Sequence, residues 1–196
     1  WMRNGVYRIS RPVTFTPQDS GTDRCPVTYR SYAGEKVVIS GGKLVTNWQK
    51  SDKHIWTAKV PWVKEQPEPF YQLFVNGIRR PRARTPNEGK YFYTKRLQYG
   101  SKAKDAALCT GMTFVKGDLK PWDNSEDALI CLFHNWVNSY DRVAAADWEK
   151  QKLTFARYAG VFFLGPNVRY YVENLRSALD APGEWYLDHK AGLLYY

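Results

Sequence analysis

Residues 127–158 read DALICLFHNWVNSYDRVAAADWEKQKLTFARY, and this stretch decides the fold class. DALICLFHNWV is an apolar run of the length and composition expected for a central strand covered on both faces. SYDRVAAAD and KLTFARY follow as two more strands, with Trp148–Gln151 as the turn between them. The chain is therefore mainly β.

Working outward, the same texture holds on both sides. Upstream, FYQLFVNGIRRPRAR is an apolar strand, the pair Asn76-Gly77 and a basic strand. Both residues of that pair tolerate positive φ, which makes it the strongest short hairpin signal in the chain. Downstream, ENLRSALD places Leu175, Ala178 and Leu179 at helical spacing before Pro182-Gly183. EWYLD, HKAG and LLYY then read as strand, turn and strand, with one face packed on the core and the other left available. Between residues 88 and 121 the pattern is weak: SKAKDAALCTG reads as a short helix capped by Ser101, and the remainder as loop.

At the start, GVYRIS, PVTFT, CPVTYRSY and KVVISGG alternate with turn-formers. Val6 and Val27 open the similar runs GVYRIS and PVTYRS, a repeat compatible with successive rungs of a parallel β-solenoid. An antiparallel sheet fits these runs almost as well. The texture changes near Asn47, giving a boundary between residues 1–46 and 47–196.

Composition narrows the partners. Of 196 residues 43% are hydrophobic, enough for a packed core, and no run of membrane-spanning length occurs. Eight Trp and fourteen Tyr are many; most belong in a β core, and a minority exposed would suit stacking on sugars. The net charge of +10 attracts polyanions in general. Apart from one strand the basic residues are scattered and carry no nucleic-acid motif, so nucleic acid ranks last as a partner. Cys25, Cys109 and Cys131 form no CxxC, and no His stands at metal-ligand spacing, so neither a metal nor a cofactor is implied. P-loop, GxGxxG, HExxH, GxSxG and EF-hand patterns do not occur. The chain opens on Trp1 without a signal segment, which reads as a piece of a longer or processed protein.

Three groups of residues could contact a ligand. In FHNW, a strand period of two puts His134 and Trp136 on one face, where imidazole and indole could grip a sugar; a hydrogen-bonded core His is the commoner arrangement. In DAPGEWYLD, Asp180 and Glu184 flank a turn beside Trp185. Glycosidases need two carboxyl groups about 5–9.5 Å apart, but Glu184 could equally open a strand or touch a ligand. In IRRPRARTPN, Arg80, Arg82 and Arg84 alternate with Pro81 and Ala83, so three guanidinium groups can line one strand face. Such forks suit uronates, sialates or phosphates, and equally suit carboxylates of an adjoining domain.

The runs DSGT, PVTYRSYAGEKVVISGG, LFVNGIRRPRARTPN, FHNW and YYVENLRSALDAPGEWYLDHKAGLLYY, taken in this order, resemble bacterial right-handed parallel β-helix proteins of the glycoside hydrolase family 141 type. The resemblance runs through essentially the whole chain. It implies that residues 1–46 are the first coils of a parallel β-helix. Residues 47–196 would then be a sandwich- or barrel-like insertion domain with one or two short helices, ending in a hairpin that leads back to the helix. It also implies a secreted or periplasmic enzyme acting on complex glycans, fucosidase- or xylanase-like, whose catalytic carboxylates lie on later coils and map to no residue here. Its partners would be an oligo- or polysaccharide and the remaining β-helix coils, with His134, Trp136, Glu184, Trp185, Arg82 and Arg84 as candidate sugar contacts. The alternative is a non-catalytic module that binds acidic polysaccharide through its Arg strand.

Overall fold

A computed structural model describes residues 1–100, 108–122, 127–159 and 167–196. The chain is mainly β and falls into two compact units, Trp1–Thr46 and Asn47–Tyr196. Among the described residues the only helical elements are 3-10 turns, and no helix is long and apolar enough to cross a membrane.

In the first unit, strand β1 (Gly5–Arg8) pairs in parallel with β2 (Val37–Ser40), Val6 opposite Val38 and Tyr7 opposite Ile39. The expected partner of GVYRIS was PVTYRS; that run contributes only a parallel bridge from Ser31 to Met2. Glu35 explains the choice. It stands two residues before β2, and its carboxylate accepts the Arg3 Nε–H at 2.7 Å and the Asn4 backbone N–H. Those contacts pin the register beside Gly5, whereas PVTYRS, similar in composition, offers no carboxylate.

In the second unit the central strand is β11 (Leu129–Phe133), with β12 (Asn138–Asp147) on one side and β14 (Arg169–Glu173) on the other, both antiparallel. Beyond β12 come β13 (Lys152–Ala159), β10 (Cys109–Thr113) and β9 (Arg96–Tyr99). The strand just before β9, β8 (Phe92–Tyr93), pairs with β14. The run 92–99 thus pairs with β14 at its start and with β10 at its end, so the sheet curls round its own core. Ile130, Leu132, Val143, Leu153, Tyr170 and Val172 fill that interior. Alternation along β14 does the sorting: in RYYVE, Tyr170 and Val172 point into the core, while Tyr171 and Glu173 point outward. A second sheet runs β15 (Tyr186–Asp188), β16 (Leu193–Tyr195), β4 (Trp56–Lys59), β3 (Gln49–Lys50).

Asn76-Gly77 forms the expected hairpin between β5 (Leu73–Val75) and β6 (Ile78–Arg80), with φ of 53° and 77°. Other readings change. ENLRSALD is not a helix: only Arg176–Ala178 makes a 3-10 turn, because Asn174 at φ 59° interrupts the backbone just before it. Most of the run read as a helix capped by Ser101 lies outside the described residues, but its last residues, 109–111, open strand β10. Gly111 in that strand lies so close to the Leu153 carbonyl that an added Cβ would collide with it. HNW is the loop of the β11–β12 hairpin rather than strand, closed by His134 N–H donating to Val137 O at 2.9 Å. Both faces of the C-terminal hairpin's first strand are covered, since Trp185, Tyr186 and Leu187 are all buried.

Candidate functional site

The outward residues of β14 and β12 face the segment that follows β6, and between them lies a cavity of about 610 Å³. Arg82 and Arg84 line it, with Arg80 beside them. The segment is held from both sides. Arg84 and Thr85, strand β7, pair with Glu173 and Val172 of β14. On the other side Trp185 donates its N–H to Pro81 O at 3.1 Å and accepts from Ala83 N at 2.7 Å. Asn174 ties the two sides together: its N–H donates to Ala83 O at 2.8 Å, and its Oδ1 accepts from Leu187 N at 3.0 Å. Its positive φ, which Asn adopts more readily than most residues, accompanies one bond made by the backbone and one by the side chain.

Arg82 is 6% exposed. Its Nη1 donates to Glu173 Oε1 at 3.2 Å and its Nη2 to Phe70 O at 2.8 Å. The guanidinium lies over the rings of Trp185, at 4.7 Å, and Tyr71, at 5.1 Å. Arg84 donates to Pro86 O and Lys90 O and stacks 3.6 Å from the centre of Tyr171. Burial pushes the Glu173 carboxyl upward, while Arg82, Arg84 and Arg79 pull it back toward the charged form. Across the cavity, Tyr140 and Tyr171 share a hydrogen bond between hydroxyls at 3.0 Å. Tyr71 and Tyr140 keep about half their surface open to solvent. Outside the lining, Glu68 accepts from Tyr71 Oη and Arg142 Nη2, both at 2.8 Å.

The other candidate residues fall elsewhere. Trp185 is wholly buried, stacked on Phe70 with ring centres 5.3 Å apart, and its Nε1 donates to Arg80 O. It is the floor beneath Arg82, with no face left for a sugar. Glu184, 4% exposed, accepts the N–H groups of Asp180 and Ala181, so its carboxylate closes the turn at Pro182-Gly183. Asp180, on the other side of that turn, accepts from Asn87 Nδ2. His134 sits half-buried with Nε2 2.9 Å from Ser139 Oγ, and Trp136 at 78% exposure projects from the hairpin tip; neither lines the cavity. Sequence reasoning missed Glu173, Tyr140, Tyr171 and Tyr71. The alternation YYVE carried a signal for two of them, because a carboxylate sharing a strand face with a Tyr, on a strand otherwise made for the core, marks a polar outer surface.

No family model matches the chain, and no curated protein matches it at a significant level. Among solved structures, one described as a glycoside hydrolase matches all of the chain at 29% identity, with a TM-score of 0.76. The chain spans 35% of that protein's length. The chain thus has the fold of part of a glycoside hydrolase.

Proposed function

We propose that the chain is a portion of a secreted glycoside hydrolase of the family 141 type, in which residues 47–196 hold the glycan and do not cut it. The cavity beside Arg82 is the glycan-contact site, with the open faces of Tyr71 and Tyr140 packing on sugar C–H surfaces. The observation that carries this reading is the state of the cavity's buried carboxylate. Glu173 is tied to Arg82 at 3.2 Å and lies among arginines, so although burial raises its pKa, its carboxylate serves to hold a guanidinium in place. The other carboxylate at the cavity, Glu88, is exposed to solvent. Bond cleavage needs a pair of carboxyl groups in defined roles, and this reading places them on parts of the enzyme outside this chain.

Residues 1–46 are, in the same proposal, the first coils of a right-handed parallel β-helix, and residues 47–196 an insertion in it. The parallel β1–β2 pair and the parallel Met2–Ser31 bridge support this. So do the exposed apolar side chains of Tyr7 and Ile39 on one face of that pair, the kind of surface that the interior of a longer solenoid buries.

Affinity electrophoresis of the chain in gels cast with plant glycans tests the binding role. Retarded migration is expected, with affinity falling at least about fivefold in Tyr140→Ala through loss of one ring contact. Unchanged migration in both neutral and acidic glycan gels would contradict it.

A further inference from the structure

Beyond holding a glycan, the cavity has a charge preference written into its lining. Four guanidinium groups, those of Arg79, Arg80, Arg82 and Arg84, meet only two carboxylates there, Glu88 and Glu173. The arginines are not equally committed. Arg84 spends its Nε and Nη2 on backbone carbonyls, and Arg82 spends both Nη groups on Glu173 and Phe70. Arg82 Nε, although buried, has no hydrogen-bond partner. Arg80 Nε is buried and unpartnered too, and the Arg80 guanidinium donates to no other described side chain or carbonyl; the centre of the Tyr196 ring lies 6.0 Å from it. An unsatisfied buried donor costs about 1–3 kcal/mol, more when charged, so two on residues that line one cavity mark a place where an acceptor belongs.

Resting on the glycan reading above, we infer that the cavity recognises the carboxylate of an acidic sugar, with Arg80 as its principal fork and Arg82 Nε as a second donor. A guanidinium binds a carboxylate through two parallel N–H bonds, and of the two cavity arginines with a buried unpartnered Nε, Arg80 is the one whose Nη groups are not already taken. Arg82 cannot turn away from Glu173 and Phe70, so it offers Nε alone. The pyranose ring that carries the carboxylate then has Tyr140 and Tyr171 within the same cavity as apolar neighbours. Glu173 limits the excess of positive charge and sets selectivity: it holds Arg82 in place and repels a second anion, which favours one singly charged carboxylate over a multiply charged phosphate.

The test is calorimetric titration of the 196-residue chain with trigalacturonate, with the neutral galactotriose and with inorganic phosphate at low salt. Trigalacturonate is expected to bind at least about tenfold more tightly than galactotriose, the worth of one charged hydrogen-bond pair. Arg80→Ala, at a half-buried hairpin position, is expected to erase that preference, with Arg80→Lys restoring only part of it. Equal binding of the two trisaccharides would overturn the carboxylate inference and leave the glycan reading standing; binding of neither would overturn both. Phosphate displacing trigalacturonate at equal concentration, or an Arg80→Lys chain that binds as tightly as the parent, would overturn the forked recognition.

Discussion

Replacing Trp185 by Ala is expected to lower the stability of the Asn47–Tyr196 unit by about 3–5 kcal/mol, the range for truncating a buried aromatic. The ring is wholly enclosed, stacks on Phe70, underlies the Arg82 guanidinium and donates from Nε1 to Arg80 O at 3.0 Å. Truncation therefore removes packing, a cation–π contact and a hydrogen bond together, and leaves a void under a buried charge. For a unit of this size the melting temperature should fall by roughly 10 °C, at about 2–4 °C per kcal/mol. Trp185→Phe keeps much of the ring area and loses the Nε1 donor, so it should cost about 1–2 kcal/mol. Thermal and urea unfolding of the two variants check this. A loss below about 1 kcal/mol in Trp185→Ala would mean that the aromatic floor does not support the cavity.

Glu173→Ala should be as damaging for a different reason. The Arg82 and Glu173 side chains are 4% and 14% exposed and lie 3.2 Å apart. Removing the carboxylate leaves a buried guanidinium with no counter-charge, at a cost of about 3–5 kcal/mol. Arg cannot escape by losing its proton, even though burial lowers its pKa here. The double variant Glu173→Ala/Arg82→Met separates the charge from the packing: with both ions gone it should recover most of the loss. Urea denaturation of the two chains provides the measurement. A double variant no more stable than Glu173→Ala would mean that the pair acts through packing and not through charge.

These two residues also show how far the sequence could be read. The DALICLF strand, the Asn76-Gly77 hairpin and the Trp148–Gln151 turn are local features. Apolar run length and turn chemistry encode each of them within a few residues; the hairpin and the turn form as read, and the strand forms over Leu129–Phe133, the first part of the DALICLFHNWV run. The alternation of Arg80, Arg82 and Arg84 was legible for the same reason, and all three line one cavity. What they meet there was not. Arg82 finds Glu173 across 91 positions of sequence, and no short-range pattern encodes which carboxylate will arrive.

Glu184 shows the opposite difficulty. Its neighbourhood of Trp and Tyr suggested sugar chemistry, yet the backbone N–H groups of a turn take up the carboxylate first. In ENLRSALD the helical spacing is real, with Leu175 and Ala178 both in the core, but a 3-10 turn satisfies it as well as a helix does. Between 88 and 121 the strands are short, and one carries Gly111 where two backbones nearly touch, so composition hid them. In the first unit, like β-branched runs competed for one partner and a single carboxylate, Glu35, made the difference.

The central claim is that this chain grips a glycan without breaking it. The most direct measurement incubates the purified 196-residue chain with oligosaccharides that it retains, and counts new reducing ends over time. Binding with no increase over the uncatalysed background is the result this account predicts. Steady release of reducing ends that stops in Glu173→Gln would contradict it, because the cutting carboxylate would then lie in the cavity itself.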